Sequence, residues 1–322
     1  MGAMTLLVTG AGGHVGRAVV ACAQARGHRV RALYRATVDP PPGVEGLRAD
    51  LARDPLDQAL AGIDAVIHAA AAVTGEPAQM QRDTVAATRA LMQAVGRAAV
   101  PRVVLVGSMA VYGTQGLCPG AVVDETTALE TRPALRDAYC RAKLAQEDVA
   151  RDIARQHGTA LWVMRAGAVW GPGRLWNAHL GLALGPVLLR IGDSPGEIPL
   201  VHQDRCAAGL VTAAETAPTA GFEIVNLLDA DRPDRRRYVT ALRRGGWPRI
   251  VLPVPWRVPD LAAWALTPLA PRLPGLLRRP ALRARLMPLL YGDQKLRARL
   301  ALPDGPGFEA AMQAASGDGG RP

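Results

Sequence analysis

The 322-residue chain is 49% hydrophobic and 4% aromatic, a globular composition with room for one large or two unequal domains around a sizeable core. Its net charge of +10 is uneven: residues 1–230 hold 21 Lys/Arg against 21 Asp/Glu, and residues 231–322 hold 17 against 7. The excess carries no aromatic-interleaved basic motif, which argues against nucleic acid. It leaves a solvated basic surface or attraction to something anionic: a carboxylate, a diphosphate or a membrane surface touched peripherally.

The apolar runs at 181–189 and 261–270 are too short to span a bilayer, and the first hydrophobic run reads as a strand rather than a leader. Cys22, Cys118, Cys140 and Cys206 show no CxxC and no metal spacing, as expected of reduced thiols in a cytoplasmic protein.

Residues 5–9 read as a buried strand, followed by Gly10-Ala11-Gly12-Gly13-His14-Val15-Gly16 and an apolar helix to about Arg26. Strand, glycine-rich turn and helix together form the setting of a dinucleotide fingerprint. Gly10 allows the tight turn, Gly13 lets a pyrophosphate approach the helix N-terminus, and Gly16 allows close packing. Residues 28–35 form the second strand. No acid stands at its end to hold a ribose 2′-hydroxyl; Arg35 stands there instead, placed to pair with a 2′-phosphate and so to select NADP(H) over NAD(H). Arg31 either assists or faces the other side.

Residues 47–51 read as the third strand, with Asp50 and Leu51 edging an adenine pocket, Asp50 also serving as a cap. Residues 64–71 read as the fourth strand and its turn, where the small residues Ala69 and Ala70 leave room for a cofactor. His68 reads as packed or backbone-bonded rather than catalytic. An Ala-rich helix spans 77–98, a fifth strand runs from 102 to 107 and ends at Ser108, a helix spans 139–157, and a sixth strand runs from 160 to 165, followed by Ala166. The alternation predicts a doubly wound parallel sheet.

Beyond it, 175–190 reads as a helix broken near Pro186, 191–197 as a turn, 200–204 as a short strand returning to the core, 205–215 as a helix and 222–227 as a last strand. Helices are expected near 235–244, 260–266 and 280–290, and a frayed final dozen residues.

Tyr139 and Lys143, four apart, share one helix face. A close ammonium favours the phenolate and lowers the phenol's pKa, making a proton donor and acceptor usable near neutrality. The same spacing also occurs on solvated helix faces. Here, however, 36 of the 38 cations are Arg and only Lys143 and Lys295 are Lys, and the two types are not interchangeable at a tight site. Cys140 is turned about 100° away.

Several motifs in order resemble the extended short-chain dehydrogenase/reductases of the NAD-dependent epimerase/dehydratase superfamily. Gly10, Gly13 and Gly16 match GxxGxxG, and 64–70 resembles DxVxHxAA. Residues 107–113 resemble SSxxVYG, with Ser108 at the catalytic Ser/Thr position, and Tyr139 and Lys143 match YxxxK. Residues 165–173 resemble RxxxVxGPG, and 201–204 resemble VHVDD. Thr84 stands where the family often has an Asn that supports a proton relay, and the Leu-Gly-Trp/Tyr signature of many members is replaced by Leu-Pro-Asp304. The segment from Pro253 to Trp256 and that from Leu290 to Lys295 resemble the 3β-hydroxysteroid dehydrogenase-like branch.

The resemblance implies a Rossmann-type α/β domain over 4–170, joined by 200–230. Residues 171–199 and 231–322 then form a smaller, mostly helical substrate-binding region. It implies a homodimer through the helices at 77–98 and 139–157. Tyr139 is the expected acid/base, Ser108 holds the substrate oxygen, and Lys143 tunes Tyr139 and bonds the nicotinamide ribose. Three functions compete: an NADP(H)-dependent reductase or alcohol dehydrogenase for a hydrophobic or anionic small molecule, a nucleotide-sugar epimerase or dehydratase with tightly held NAD, and a non-enzymatic nucleotide-sensing or scaffold protein of the same fold.

Overall fold

The computed structural model describes residues 2–36, 40–192, 196–272 and 275–317. Seven strands form one parallel sheet: β1 (Thr5–Thr9), β2 (Arg29–Tyr34), β3 (Glu45–Arg48), β4 (Ala65–His68), β5 (Arg102–Ser108), β6 (Ala160–Ala166) and β7 (Phe222–Leu227). Their order is β3-β2-β1-β4-β5-β6-β7. β1 and β4 are buried along their whole length, as parallel strands covered on both faces must be.

The helices α1 (His14–Ala25), α2 (Ala87–Arg97), α3 (Ala138–His157) and α4 (Gln203–Glu215) supply those covers. Val19, Val20, Leu210 and Val211 of α1 and α4 pack with Leu6 and Ile67 on one face. Leu91, Met92, Val95 and Ile153 of α2 and α3 pack with Leu7 and Val66 on the other. The strand order reverses between β1 and β4, and ligands of such sheets sit outside the carboxyl ends of the strands at that switch.

Several expectations need correction. The stretch at 175–190 is no broken helix. After a single 3₁₀ turn, Gly181–Leu184 and Val187–Ile191 form a hairpin turning at Gly185-Pro186, and Ile250–Val254, unforeseen, adds a third strand. Gly181 and Gly185 hold positive φ, and the Gly185-Pro186 pair breaks the run at its turn, which suits a hairpin better than a helix. Ile191 belongs to that strand, while 193–195 of the expected turn lie outside the described residues.

Leu200–His202 pairs with Ala168–Trp170 in a small sheet of its own and not with the large one. The expected frayed end begins as a helix, Phe308–Gly317, anchored by buried Phe308, Ala311, Met312 and Ala315 against Tyr238 and Trp170; residues 318–322 lie outside the described set. The long helix at 77–98 is interrupted by a π-helical segment, Gln81–Ala86, between Pro77–Met80 and α2.

Candidate active site

The site is assembled where α3 crosses the ends of β4, β5 and β6. Asp137 caps α3, its carboxylate accepting from the Cys140 amide at 2.8 Å, a contact type worth about 1 kcal/mol. That fixes Tyr139 in the first turn and Lys143 in the second. Further along α3, Glu147 meets Arg165 of β6 in a buried fork with contacts of 2.8–3.3 Å. Burial pushes the Glu147 carboxyl up and Arg165 pulls it back, while Glu147 raises the guanidinium; two-pronged contact at these distances is the geometry of an ionised pair. Arg165 also lies 4.9 Å over the Tyr112 ring, whose hydroxyl donates to Asn226 at 2.6 Å.

The Ser108 side chain lies near enough to the Tyr139 hydroxyl to pull its pKa back, and Ser108 Oγ accepts from the Ala110 amide at 3.2 Å. Lys143 is 3% exposed. Its Nζ sits 6.0 Å from the Tyr139 ring centre and donates to Val106 O and to Gln146 Oε1, both at 2.9 Å. The three residues singled out in the sequence therefore meet.

The electrostatics differ from expectation. Burial pushes the Tyr139 phenol up rather than down, with Ser108 pulling it back. Burial also brings Lys143 down to about 8. A desolvated ammonium shared between a carbonyl and an amide lends the phenol less than an unengaged one.

Gln146, which sequence reasoning missed, heads a buried chain whose directions are fixed throughout. Thr88 donates to Thr84 O at 2.7 Å, so its oxygen accepts from Gln146 Nε2 at 2.9 Å and His68 Nε2 at 2.8 Å. His68 Nδ1 then accepts from the Thr9 hydroxyl at 2.7 Å. Burial holds the imidazole down to about 3, so it is neutral and structural, bonded to hydroxyls and not to backbone. Thr84 itself accepts from the Ala72 amide at 3.0 Å, tying the π-helical segment to the turn after β4. The only signal in the sequence was Gln146's position one turn beyond Lys143.

The cofactor-side residues divide into three groups. Gly10, Arg35, Asp50, Leu51 and Ala70 line one cleft together with Gln79 and Asp83. A Cβ on Gly10 would stand 2.8 Å from the Ala70 backbone, and one on Gly16 would stand 2.1 Å from Gly10 O, so the turn leaves no room for a side chain at either position. Ala69 lies under the same turn. The Gly13 amide closes the turn by donating to Gly10 O at 2.9 Å, and the His14 and Val15 amides open α1, which has no side-chain cap and no acid in its first turn, leaving a helix N-terminus suited to an anion. The His14 imidazole lines a different groove, with Arg17, Gln203 and Asp204, so only its main chain faces the turn. Ala166 is paired in register with Ser108. A dinucleotide therefore fits this crevice.

Asp50 accepts from the Ala52 amide at 3.0 Å, capping a turn after β3 rather than a helix. Arg31 is taken up by Glu45 and by carbonyls at 58, 59 and 61, away from the cleft. Arg35 is exposed and pairs with Asp83 at 2.9 Å, an acid that the sequence did not point to. Among the described residues no cluster suits a metal ion and no helix is long and apolar enough to cross a membrane.

The model of the NAD dependent epimerase/dehydratase family matches residues 6–226. Cinnamoyl-CoA reductase 1 of Arabidopsis thaliana is 34% identical over 52% of this chain, which spans about half of that relative's length, 53%. Cinnamoyl-CoA reductase 2 of the same plant is 32% identical over 69% of this chain and 75% of its own. A 3 beta-hydroxysteroid dehydrogenase/Delta 5-->4-isomerase of Mycobacterium tuberculosis is 29% identical over 71% and 68%. Among solved structures, UDP-glucuronic acid 4-epimerase from Bacillus cereus in complex with NAD superposes with a TM-score of 0.73 at 18% identity, covering 98% of both chains, a likeness of fold. The chain thus belongs to the NAD dependent epimerase/dehydratase family.

Proposed function

We propose that the chain is an NADP(H)-dependent reductase, or in reverse an alcohol dehydrogenase, acting on a hydrophobic or anionic carbonyl compound. The observation that carries the reading is the grouping of Tyr139 with Ser108 beside it and the buried Lys143 Nζ 6.0 Å from its ring centre. Ser108 orients the substrate oxygen. Tyr139 gives that oxygen its proton, and Lys143 stabilises the phenolate left behind. The nicotinamide, when bound, supplies or takes the hydride. Gly10, the opening turn of α1, Arg35, Asp50, Leu51, Ala69, Ala70, Lys143 and Ala166 hold the dinucleotide. Residues 171–199 and 231–322 bind substrate. Met109, next to Ser108, packs with Trp256, Met287 and Leu289 of the carboxy-terminal region in a buried apolar cluster, joining that region to the strand that carries Ser108.

The direct test is a carbonyl panel read by NADPH oxidation, run on protein whose retained nucleotide has been identified. Turnover of NADPH supports the reading; protein that retains NAD⁺ and consumes no NADPH overturns it. Arg35→Asp is expected to weaken NADPH by about tenfold or more and NADH little, as read by fluorescence titration. Equal losses for both would remove Arg35 from the phosphate. Asp83→Asn, which frees the guanidinium, is expected to tighten NADPH.

The reduction depends on a charged Lys143, so kcat/KM should hold up to pH about 8 and fall above it as the ammonium loses its proton. A profile flat well beyond that value would remove Lys143 from the proton step.

One observation favours a nucleotide-sugar epimerase or dehydratase holding NAD: Asp83 places a carboxylate in the adenosine cleft, where it can accept from ribose hydroxyls. In that case Asp83→Asn weakens NAD instead.

A further inference from the structure

The three-stranded sheet outside the main fold is apolar on the face it turns to solvent. Its register places Leu184, Val187 and Ile250 in one row and Leu182, Leu189 and Leu252 in the next. Leu182, Leu184, Ile250 and Leu252 are each about half exposed. Ile191, at the end of the same face, packs against Ala263 and Leu282, so the helix Arg257–Ala265 abuts that end. This helix exposes Val258 (60%), Leu261 (64%) and Trp264 (57%), which recur at helical spacing on one outward side. Among the described residues twelve large apolar side chains are exposed, and seven lie on this sheet face and helix. Such concentration marks an interaction surface.

Charge identifies the partner. Residues 243–285 contain nine arginines and one acid, Asp260. That acid is buried and already paired with Arg279 at 3.0 Å and Arg283 at 3.6 Å. Arg249 and Arg257 are exposed. Arg249 directly precedes Ile250, and Arg257 falls in helical angle between Leu261 and Trp264, on the apolar side. Aliphatic side chains, a Trp and interleaved Arg, on segments whose one acid is buried and paired, match the boundary between headgroups and acyl chains of an anionic bilayer.

We propose that this face is a docking surface for anionic lipid membranes. Through Ile191 it packs onto the buried apolar cluster that includes Trp256 and Met109. The proposal does not depend on which carbonyl or nucleotide the enzyme uses.

The test is sedimentation of the full chain with vesicles of phosphatidylglycerol and of phosphatidylcholine, at low and high salt. Binding to phosphatidylglycerol that weakens with salt is expected, with little binding to phosphatidylcholine. Leu252→Glu and Leu261→Glu, exposed sites whose folded state circular dichroism confirms, should each lower the affinity on the order of tenfold. Arg249→Gln with Arg257→Gln should lower it and flatten the salt dependence. No binding to phosphatidylglycerol at low salt overturns the proposal, as does unchanged binding by the Glu variants. A concentration-dependent dimer that the Glu variants dissociate, without vesicle binding, would assign the face to a second copy of the chain instead.

Discussion

Tyr139→Phe is expected to lower kcat about 10²–10⁴-fold while nucleotide binding stays near that of the unaltered chain. The change removes one oxygen from a half-buried ring and leaves Lys143 bonded to Val106 and Gln146, so the crevice keeps its shape. What disappears is the proton that a carbonyl oxygen needs as it becomes an alcohol. Ser108 cannot replace it, because an aliphatic hydroxyl is far weaker as an acid. Stopped-flow turnover with a carbonyl substrate, set beside a nucleotide titration of the same variant, separates the two effects. A Phe variant that keeps near-full kcat would show that the acid lies elsewhere.

The second large effect is on stability. Glu147→Ala should destabilise the fold by about 3–5 kcal/mol, because it leaves Arg165 charged and buried without its partner. The loss would be read as a lower denaturant midpoint with an unchanged m-value. Activity should fall as well, since this pair ties α3, with Tyr139 and Lys143, to the strand next to Ser108. Replacing both members together by apolar residues, Glu147→Leu with Arg165→Met, should recover much of the stability. If Glu147→Ala alone is silent, the pair is not what holds α3 in place.

Much of this arrangement could be read from the residues. The β1 turn, Ser108 and the Tyr139/Lys143 pair announce themselves because each needs a particular residue at a fixed spacing. The hairpin at 181–191 was misread because its run of Leu and Val is as apolar on the buried face as on the exposed one, so no amphipathic period decided between helix and strand. Asp83 and Gln146 were missed for another reason. Asp83 reaches Arg35 across 48 positions, and Gln146 reaches Thr88 across 58; such meetings depend on how the π-helical segment, α2 and α3 lie over the sheet. The sign of the Tyr139 shift followed from burial, which spacing along a helix does not report.

With only two lysines in the chain, amine-directed chemistry has two side chains to choose from. The Lys295 side chain is 39% exposed and will take a bulky dye or a coupling resin, giving attachment at one defined lysine. Lys143 is shielded, yet its amine is substantially uncharged in mildly alkaline solution, the reactive form. A compact reagent that slips into the crevice will modify it where a large one fails, so the ratio of the two labels reports how open the crevice is.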